Sequence, residues 1–190
     1  MSVMTAEPQH PEVTATAGLH VRRAAPEDAA AVAATHVASW RVGYGGLLPD
    51  ALLASLSVEE RTASWTRNLG EGSEGRTFVA LAEDGAVLGF ATVGRCRDDA
   101  SAPETGELWA MYAHPDAWRH GVGSALMGAA KQEMRAMGFQ RATLWVLTAN
   151  ERARRFYESH GWHSRERHRV DWRGDVRLDE VQYELPALNP

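Results

Sequence analysis

The spacing of apolar residues in this chain switches between the two-residue period of strands and the helical period of about 3.6 residues, and the switches mark out its elements. Leu19-His20-Val21-Arg22 alternates and predicts a first strand. Pro26-Glu27-Asp28 opens a helix, because proline suits a first turn and two acids favour the helix dipole. The alanine-rich run that follows carries Val32, His36 or Val37, and Trp40 at helical spacing. From Arg41 to Asp50 the chain holds Gly43, Gly45, Gly46 and Pro49 and reads as a loop, although an unusually aromatic and apolar one. A second helix is predicted from Ala51 to about Leu69, with Ser57 a candidate N-cap and Glu60 completing a capping box.

After the glycine-rich loop Gly70 to Gly75 the period becomes two. Thr77 to Ala82 and Val87 to Arg95 predict a hairpin around Glu83-Asp84-Gly85. Glu107 to Ala113 is a third strand of this region, followed by the turn His114-Pro115-Asp116 and a helix that runs to Met137. Leu126, Ala130, Met134 and Met137 share one face of that helix, and Gly138 closes it. Thr143 to Leu147 is apolar without a break, as expected of a central strand covered on both faces. Asn150 caps a last helix ending at Gly161, and two strands, about Trp162 to Trp172 and Asp175 to Leu185, finish the chain. The two strands that bracket the helix after Pro115 form a right-handed βαβ unit and so should be parallel. Met1 to about Gly18 has no apolar period and reads as a disordered leader, leaving residues 19–186 as a single domain.

Composition narrows the function. Of 190 residues 44% are apolar, which suits one ordinary globular domain, and no apolar run reaches the roughly 18 residues of a membrane span. The formal charge of −5 and the scattered basic residues do not suggest a nucleic-acid partner. The cluster Arg152, Arg154 and Arg155 lies near the motifs below and is placed to meet phosphate, whereas Arg165, Arg167, His168 and Arg169 read as a solvated strand face. Cys96 is the single cysteine, which excludes an internal disulfide, and no basic-then-apolar secretory signal opens the chain. A cytoplasmic location is expected.

The stretch from Glu107 to Met127 carries the chemistry. A strand runs into a turn and then into Gly121-Val122-Gly123 at a helix start, where bare N–H groups and the helix dipole favour an anion. This is not the P-loop pattern, since no Gly-Lys-Ser/Thr follows, and it lacks the third glycine of the dinucleotide pattern. By itself it leaves a nucleotide and other phosphorylated ligands open. About thirty residues on, Asn150, Ala153 and Tyr157 fall on one helix face.

Together, HPDAWRHGVGSAL and N-x-x-A-x-x-F-Y-x-x-x-G-W resemble the GNAT N-acetyltransferase superfamily, over about residues 19–185 and most specifically from Glu107 to Trp162. The resemblance implies an α/β (α+β) fold: a mixed, mostly antiparallel sheet of six to seven strands, flanked by helices and splayed at a central parallel pair. It implies acetyl-CoA as cofactor, no metal, an amine of a small molecule or peptide as acceptor, and frequent homodimers. By the same resemblance Met111, Tyr112 and Ala113 would line the pantetheine arm. Arg119, His120, Gly121, Val122, Gly123 and Ser124 would cradle the diphosphate, and Asn150 and Ala153 would meet the arm from the last helix. Trp118 stands where the family usually has Gln or Arg, which removes one polar contact.

Tyr157 resembles the general acid for the departing thiolate, and a phenol of pKa about 10 can donate to a thiolate whose thiol pKa is about 8.5. A primary amine of pKa about 10.4 must lose its proton before it attacks, at a cost of about 4–5 kcal/mol at neutral pH. Glu107 occupies the family's base position, with Glu104 the neighbouring alternative. Trp40, Tyr44, Leu47 and Trp109 would wall the acceptor site, and the acidic surplus matches a cationic amine in sign. The expectation is direct transfer of acetyl to a primary amine within a ternary complex. A CoA-binding module without transfer activity and a phosphate-loop nucleotide enzyme are the alternatives.

Overall fold

A computed structural model of the chain describes residues 18–98 and 101–188. The predicted leader therefore lies, from Met1 to Ala17, outside the described residues. Seven strands form one sheet: β1 (His20–Arg23), β2 (Arg76–Leu81), β3 (Val87–Arg95), β4 (Thr105–Ala113), β5 (Arg141–Leu147), β6 (His163–Arg173) and β7 (Val176–Leu185). Their order is β1-β2-β3-β4-β5-β7-β6, and every neighbouring pair is antiparallel except β4 and β5. The helices are α1 (Ala29–Gly43), α2 (Asp50–Ser55), α3 (Val58–Asn68), α4 (Val122–Ala136) and α5 (Glu151–Ser159).

The strand alternation sorts the helices onto two faces. Val79, Leu81 and Phe90 meet Ala29, Val32, Ala33 and Trp65 of α1 and α3. Ala80, Ala91, Val93 and Leu108 meet Leu126, Met127, Ala130 and Met134 of α4 on the opposite face. Successive strand residues point to opposite faces, so the single step from Val79 to Ala80 changes core. Arg154 stitches α5 to the sheet by donating to Tyr183 Oη at 3.0 Å and to the Thr148 carbonyl at 3.1 Å.

Several boundaries differ by one or two residues from those predicted, among them the start of β5 at Arg141 and the end of α5 at Ser159, and three differences bear on the packing. The helix expected from Ala51 to Leu69 is two helices, because Leu56 and Ser57 are extended. Ser57 starts the second by accepting from the Glu60 N–H at 3.2 Å, the role its type favours. α1 continues past Trp40 to Gly43, and its Arg41 donates to the carbonyls of Leu53 and Leu56, so the expected loop begins only at Tyr44. β4 begins at Thr105, two residues early, because Thr105 and Gly106 pair in parallel with Arg141 and Ala142.

The feature that positions the site is where the parallel pairing stops. β4 and β5 are paired from Thr105–Arg141 to Leu108–Leu144 and no further. Opposite β3, Val93 pairs with Leu108 and Thr92 with Ala110, which leaves Trp109 as a bulge. Bulges bend a strand and raise its twist. The Trp109 indole lies on a bed of two glycines, Gly75 and Gly94, and donates to the Arg95 carbonyl at 3.1 Å.

That bed gives a stability test. A Cβ at Gly94 would clash with the six-membered ring of Trp109, whereas a Cβ at Gly128, on the exposed side of α4, meets open space. Gly94→Ala should therefore destabilise the fold by about 1–3 kcal/mol. Gly128→Ala should be neutral or stabilise by up to about 1 kcal/mol. Urea unfolding midpoints at constant m-value measure both.

Candidate active site

A cavity of 680 Å³ opens where β4 and β5 part. Its walls bring together Glu107, Trp109, Met111, Tyr112 and Ala113 of β4, Trp40 and Tyr44 from α1 and its end, and Asn150, Ala153 and Tyr157 around α5. Among the described residues, the edge of β4 that faces β5 has no strand partner beyond Leu108, although the other edge stays paired with β3 as far as Ala113–Gly89. Backbone groups left unpaired in this way need another hydrogen-bonding partner.

β4 ends at a second set of free donors. Gly121 caps α4 in the left-handed conformation, φ 82°, and offers no capping side chain. The N–H groups of Val122, Gly123 and Ser124 therefore lack the helix partners that later residues have. A left-handed cap is strained for any residue with a Cβ, which explains glycine here. Arg119 is also left-handed, φ 66°, and together with His120 is exposed beside the helix start. Gly123 serves packing as well: a Cβ there would lie 3.0 Å from the Phe156 ring, so its absence lets α4 and α5 approach. These six residues flank the mouth and do not line the cavity itself.

α5 presents Tyr157 to the cavity. Asn150 is buried, and its side chain accepts from the Ala153 N–H at 3.1 Å as an N-cap. Tyr157 is buried among Phe156, Trp162 and Tyr183. Among the described residues its hydroxyl has no hydrogen-bond partner. Burial raises the Tyr157 phenol above the ordinary tyrosine value, with Tyr112 adding to the shift. The neighbouring phenols of Tyr44 and Tyr112 are raised too, again chiefly by burial.

Glu107 is only 2% exposed, yet it reaches the cavity wall. Arg97 holds it: Nη2 donates to Oε1 at 2.7 Å and the Arg97 backbone N–H to Oε2 at 2.8 Å. Arg97 also lies over the Trp109 ring, 4.8 Å from its centroid. Glu104, the alternative base, lies away from the cavity and pairs with Arg141 at 3.6 Å. Leu47 is 38% exposed and outside the lining, and its neighbour Leu48 takes the wall position instead.

The β6–β7 hairpin supplies further side chains, and it corrects the reading of Arg169 as part of a solvated face. Arg169, Asp171 and Arg173 line the cavity with Glu180. Their two-residue spacing was the available signal, because it puts all three on one strand face. That face of the arginine-rich strand is thus turned toward the cavity, and Arg169 lies 4.4 Å from the Trp145 ring centroid. The acidic surplus of the chain is not concentrated here. Four arginines line the cavity against three acids, and three pairs form: Arg97–Glu107 at 2.7 Å, Arg169–Glu180 at 2.7 Å and Arg173–Asp171 at 2.6 Å.

A mixed sheet opened at its parallel pair, with a glycine-led helix start at the mouth and a buried tyrosine within, is the architecture that the resemblance to the GNAT superfamily implies. Residues 47–162 match the acetyltransferase (GNAT) family, and the chain belongs to that family. It is 32% identical to the uncharacterized N-acetyltransferase YuaI of Bacillus subtilis over 169 residues, 89% of this chain and 94% of that protein. Its fold matches that of the PaiA N-acetyltransferase of Thermoplasma acidophilum, solved in complex with coenzyme A. The TM-score is 0.68 at 19% identity, covering 87% of this chain and 97% of that one. It also matches YncA of Salmonella typhimurium, solved with acetyl-CoA, at a TM-score of 0.64 and 20% identity over 90% and 95% of the two chains. Among the described residues no helix is long and apolar enough to cross a membrane.

Beneath the cavity, His36 stacks on Tyr112 with ring centroids 4.9 Å apart and accepts from Trp65 Nε1 at 3.3 Å. Burial, with the charges of Arg61 and Arg173, pushes its pKa down to about 3. The unfolded chain takes up a proton at His36 near pH 6.5 while the folded chain does not. Stability from this residue is therefore full above pH 6.5 and is lost as pH falls toward 3. Going from pH 7 to pH 5 should cost up to about 2 kcal/mol through His36. Urea denaturation of wild type and His36→Gln should show a pH slope smaller by about one proton in the variant.

Proposed function

We propose that this enzyme transfers acetyl from acetyl-CoA to a primary amine, by direct attack in a ternary complex. The observation that carries the proposal is that the unpaired edge of β4 and Tyr157 line one cavity. The residues present fit the cofactor. The free edge from Trp109 to Ala113 suits the amides of a pantetheine arm, and the uncapped N–H groups of Val122, Gly123 and Ser124 suit a diphosphate. Acetyl-CoA supplies the acetyl group as an activated thioester.

The chain's own residues then orient the reactants and move two protons. The neutral fraction of the amine, which costs about 4–5 kcal/mol to populate at neutral pH, is the form that attacks, and Glu107 receives at a carboxylate oxygen the proton the nitrogen loses as it bonds to the acetyl carbon. Arg97 positions that carboxylate and balances its charge in a buried setting. Oε1 accepts only from Arg97 Nη2 and keeps accepting capacity, whereas Oε2 accepts from both the Arg97 backbone N–H and, at 3.4 Å, its Nε. Tyr157 holds the proton for the departing sulfur at its Oη, and its raised pKa keeps that proton in place throughout the neutral range. Trp40, Tyr44 and Trp109 form the acceptor's wall with the ion pairs of the β6–β7 hairpin. That balanced lining favours a neutral or zwitterionic amine over a polycation.

Release of free thiol from acetyl-CoA, followed over a panel of amines and amino acids, tests the reading. Tyr157→Phe should lower kcat by about 10²-fold with little change in cofactor affinity. Glu107→Gln should lower kcat similarly, with the smallest deficit at high pH, where more of the amine is already neutral. Tight CoA binding without thiol release on any amine would instead identify a binding module.

A further inference from the structure

Arg152 is the one arginine of the cavity without an acid partner among the described residues. It stands on α5, just past the end of β5, and its exposed side chain reaches back across the opening. Its guanidinium lies over the Trp118 ring at 3.5 Å from the centroid, closer than any other cation and ring among the described residues. Trp118 belongs to the opposite lip. It follows the end of β4, and its Nε1 donates to the Ala113 carbonyl at 2.9 Å, which fixes the ring. The end of α1 completes the setting, since a Cβ at Gly43 would lie 3.2 Å from Arg152 Nη2.

The stack therefore spans the mouth between the two parted strands. Three residues after Trp118 comes Gly121, the uncapped start of α4. Trp118 has no charge, and its one side-chain N–H is already given to the Ala113 carbonyl. A stacked guanidinium keeps its N–H edge free, because only its face is used by the ring. An arginine held in this way is pre-organised to give two parallel hydrogen bonds to a phosphate.

We infer that Arg152, seated on Trp118, is a phosphate-binding residue for the CoA moiety and supplies from α5 the polar contact that position 118 lacks. The inference rests on acetyl-CoA being the cofactor. It assigns Trp118 a positioning role, as the platform that holds the guanidinium at the mouth. The same charge would also attract a carboxylate on the acceptor, so the test must separate the two anions.

Isothermal titration of acetyl-CoA and of acetyl-pantetheine, which carries no diphosphate, makes the separation. Arg152→Gln should weaken acetyl-CoA binding by about tenfold or more. The loss should shrink at high ionic strength. Acetyl-pantetheine affinity should not change. Trp118→Leu should produce part of the same loss, and adding it to Arg152→Gln should cost little more, because the two act as a unit. Arg152→Lys should recover part of the affinity but not all of it, since lysine keeps the charge without the planar fork. Circular dichroism and unfolding midpoints check that each variant is folded. Unchanged acetyl-CoA affinity in Arg152→Gln, an equal loss for acetyl-pantetheine, or a rise confined to the acceptor KM would each overturn the inference. Failure of the wild type to bind acetyl-CoA at all would overturn the proposed function, and this inference with it.

Discussion

Four residue pairs of parallel ladder hold β4 to β5, from Thr105–Arg141 to Leu108–Leu144, and then the ladder stops. Both strands keep their outer partners beyond that point, β4 with β3 to Ala113 and β5 with β7 to Leu147. The sheet is therefore whole on either side of a cleft. Polar backbone groups along the cleft have lost their strand partner but not their need for one. The bulge at Trp109 begins where the pairing ends, and a bulge is the usual means of re-aiming a strand. Gly75 and Gly94 make the bulge sterically feasible by leaving room for the indole. A small change in any of these three residues would act on the cleft rather than on a remote surface.

The cleft also explains why charge occurs at such depth. Glu107 sits at the fork, almost wholly removed from water, where an unpaired carboxylate would be costly. Arg97 answers it with a guanidinium contact and a backbone N–H. Removing Arg97 would leave the charge buried, which is a larger penalty than the pair's net contribution. The same logic runs along the hairpin wall, where Arg169 with Glu180 and Arg173 with Asp171 are paired within the lining. Cavity walls built from closed ion pairs present polarity without a strong net field. Arg152 stands outside this pattern, paired with a ring instead of an acid.

Sequence and structure agree at most places where the signal is local, the helical Arg41–Gly43 being an exception. The β4 and β5 periods, the glycine at 121 and the Asn150 cap all reflect conformations set within a few residues, so their places in the fold were legible. The parallel relation of β4 and β5 followed as well, because handedness leaves few ways to join two strands through one helix. Tyr157 could be put on the same helix face as Asn150 and Ala153 by counting alone. The break at Leu56–Ser57 was only half legible, since Ser57 and Glu60 announced a helix start but nothing announced the end before it.

What counting cannot reach is which residues from distant stretches meet. Arg97 lies ten residues from Glu107 on the far side of a loop, and nothing in either stretch marks them as partners. Trp118 and Arg152 belong to opposite lips of the cleft, and their stacking depends on how two separate strand ends are held apart. Leu47 and Leu48 are equivalent by type, and only the packing of α1 against α2 decides that Leu48 is the one inside. The arginine-rich alternation of β6 reads as a solvated face until the sheet order turns one side of it toward Trp145. The sequence by itself determined the element order, the helix start at Gly121 and the tyrosine, because backbone conformation and capping are short-range. The tertiary structure decided the pairing of the cleft's charges, because a charge's partner is chosen by proximity in space, and proximity follows from the whole packing.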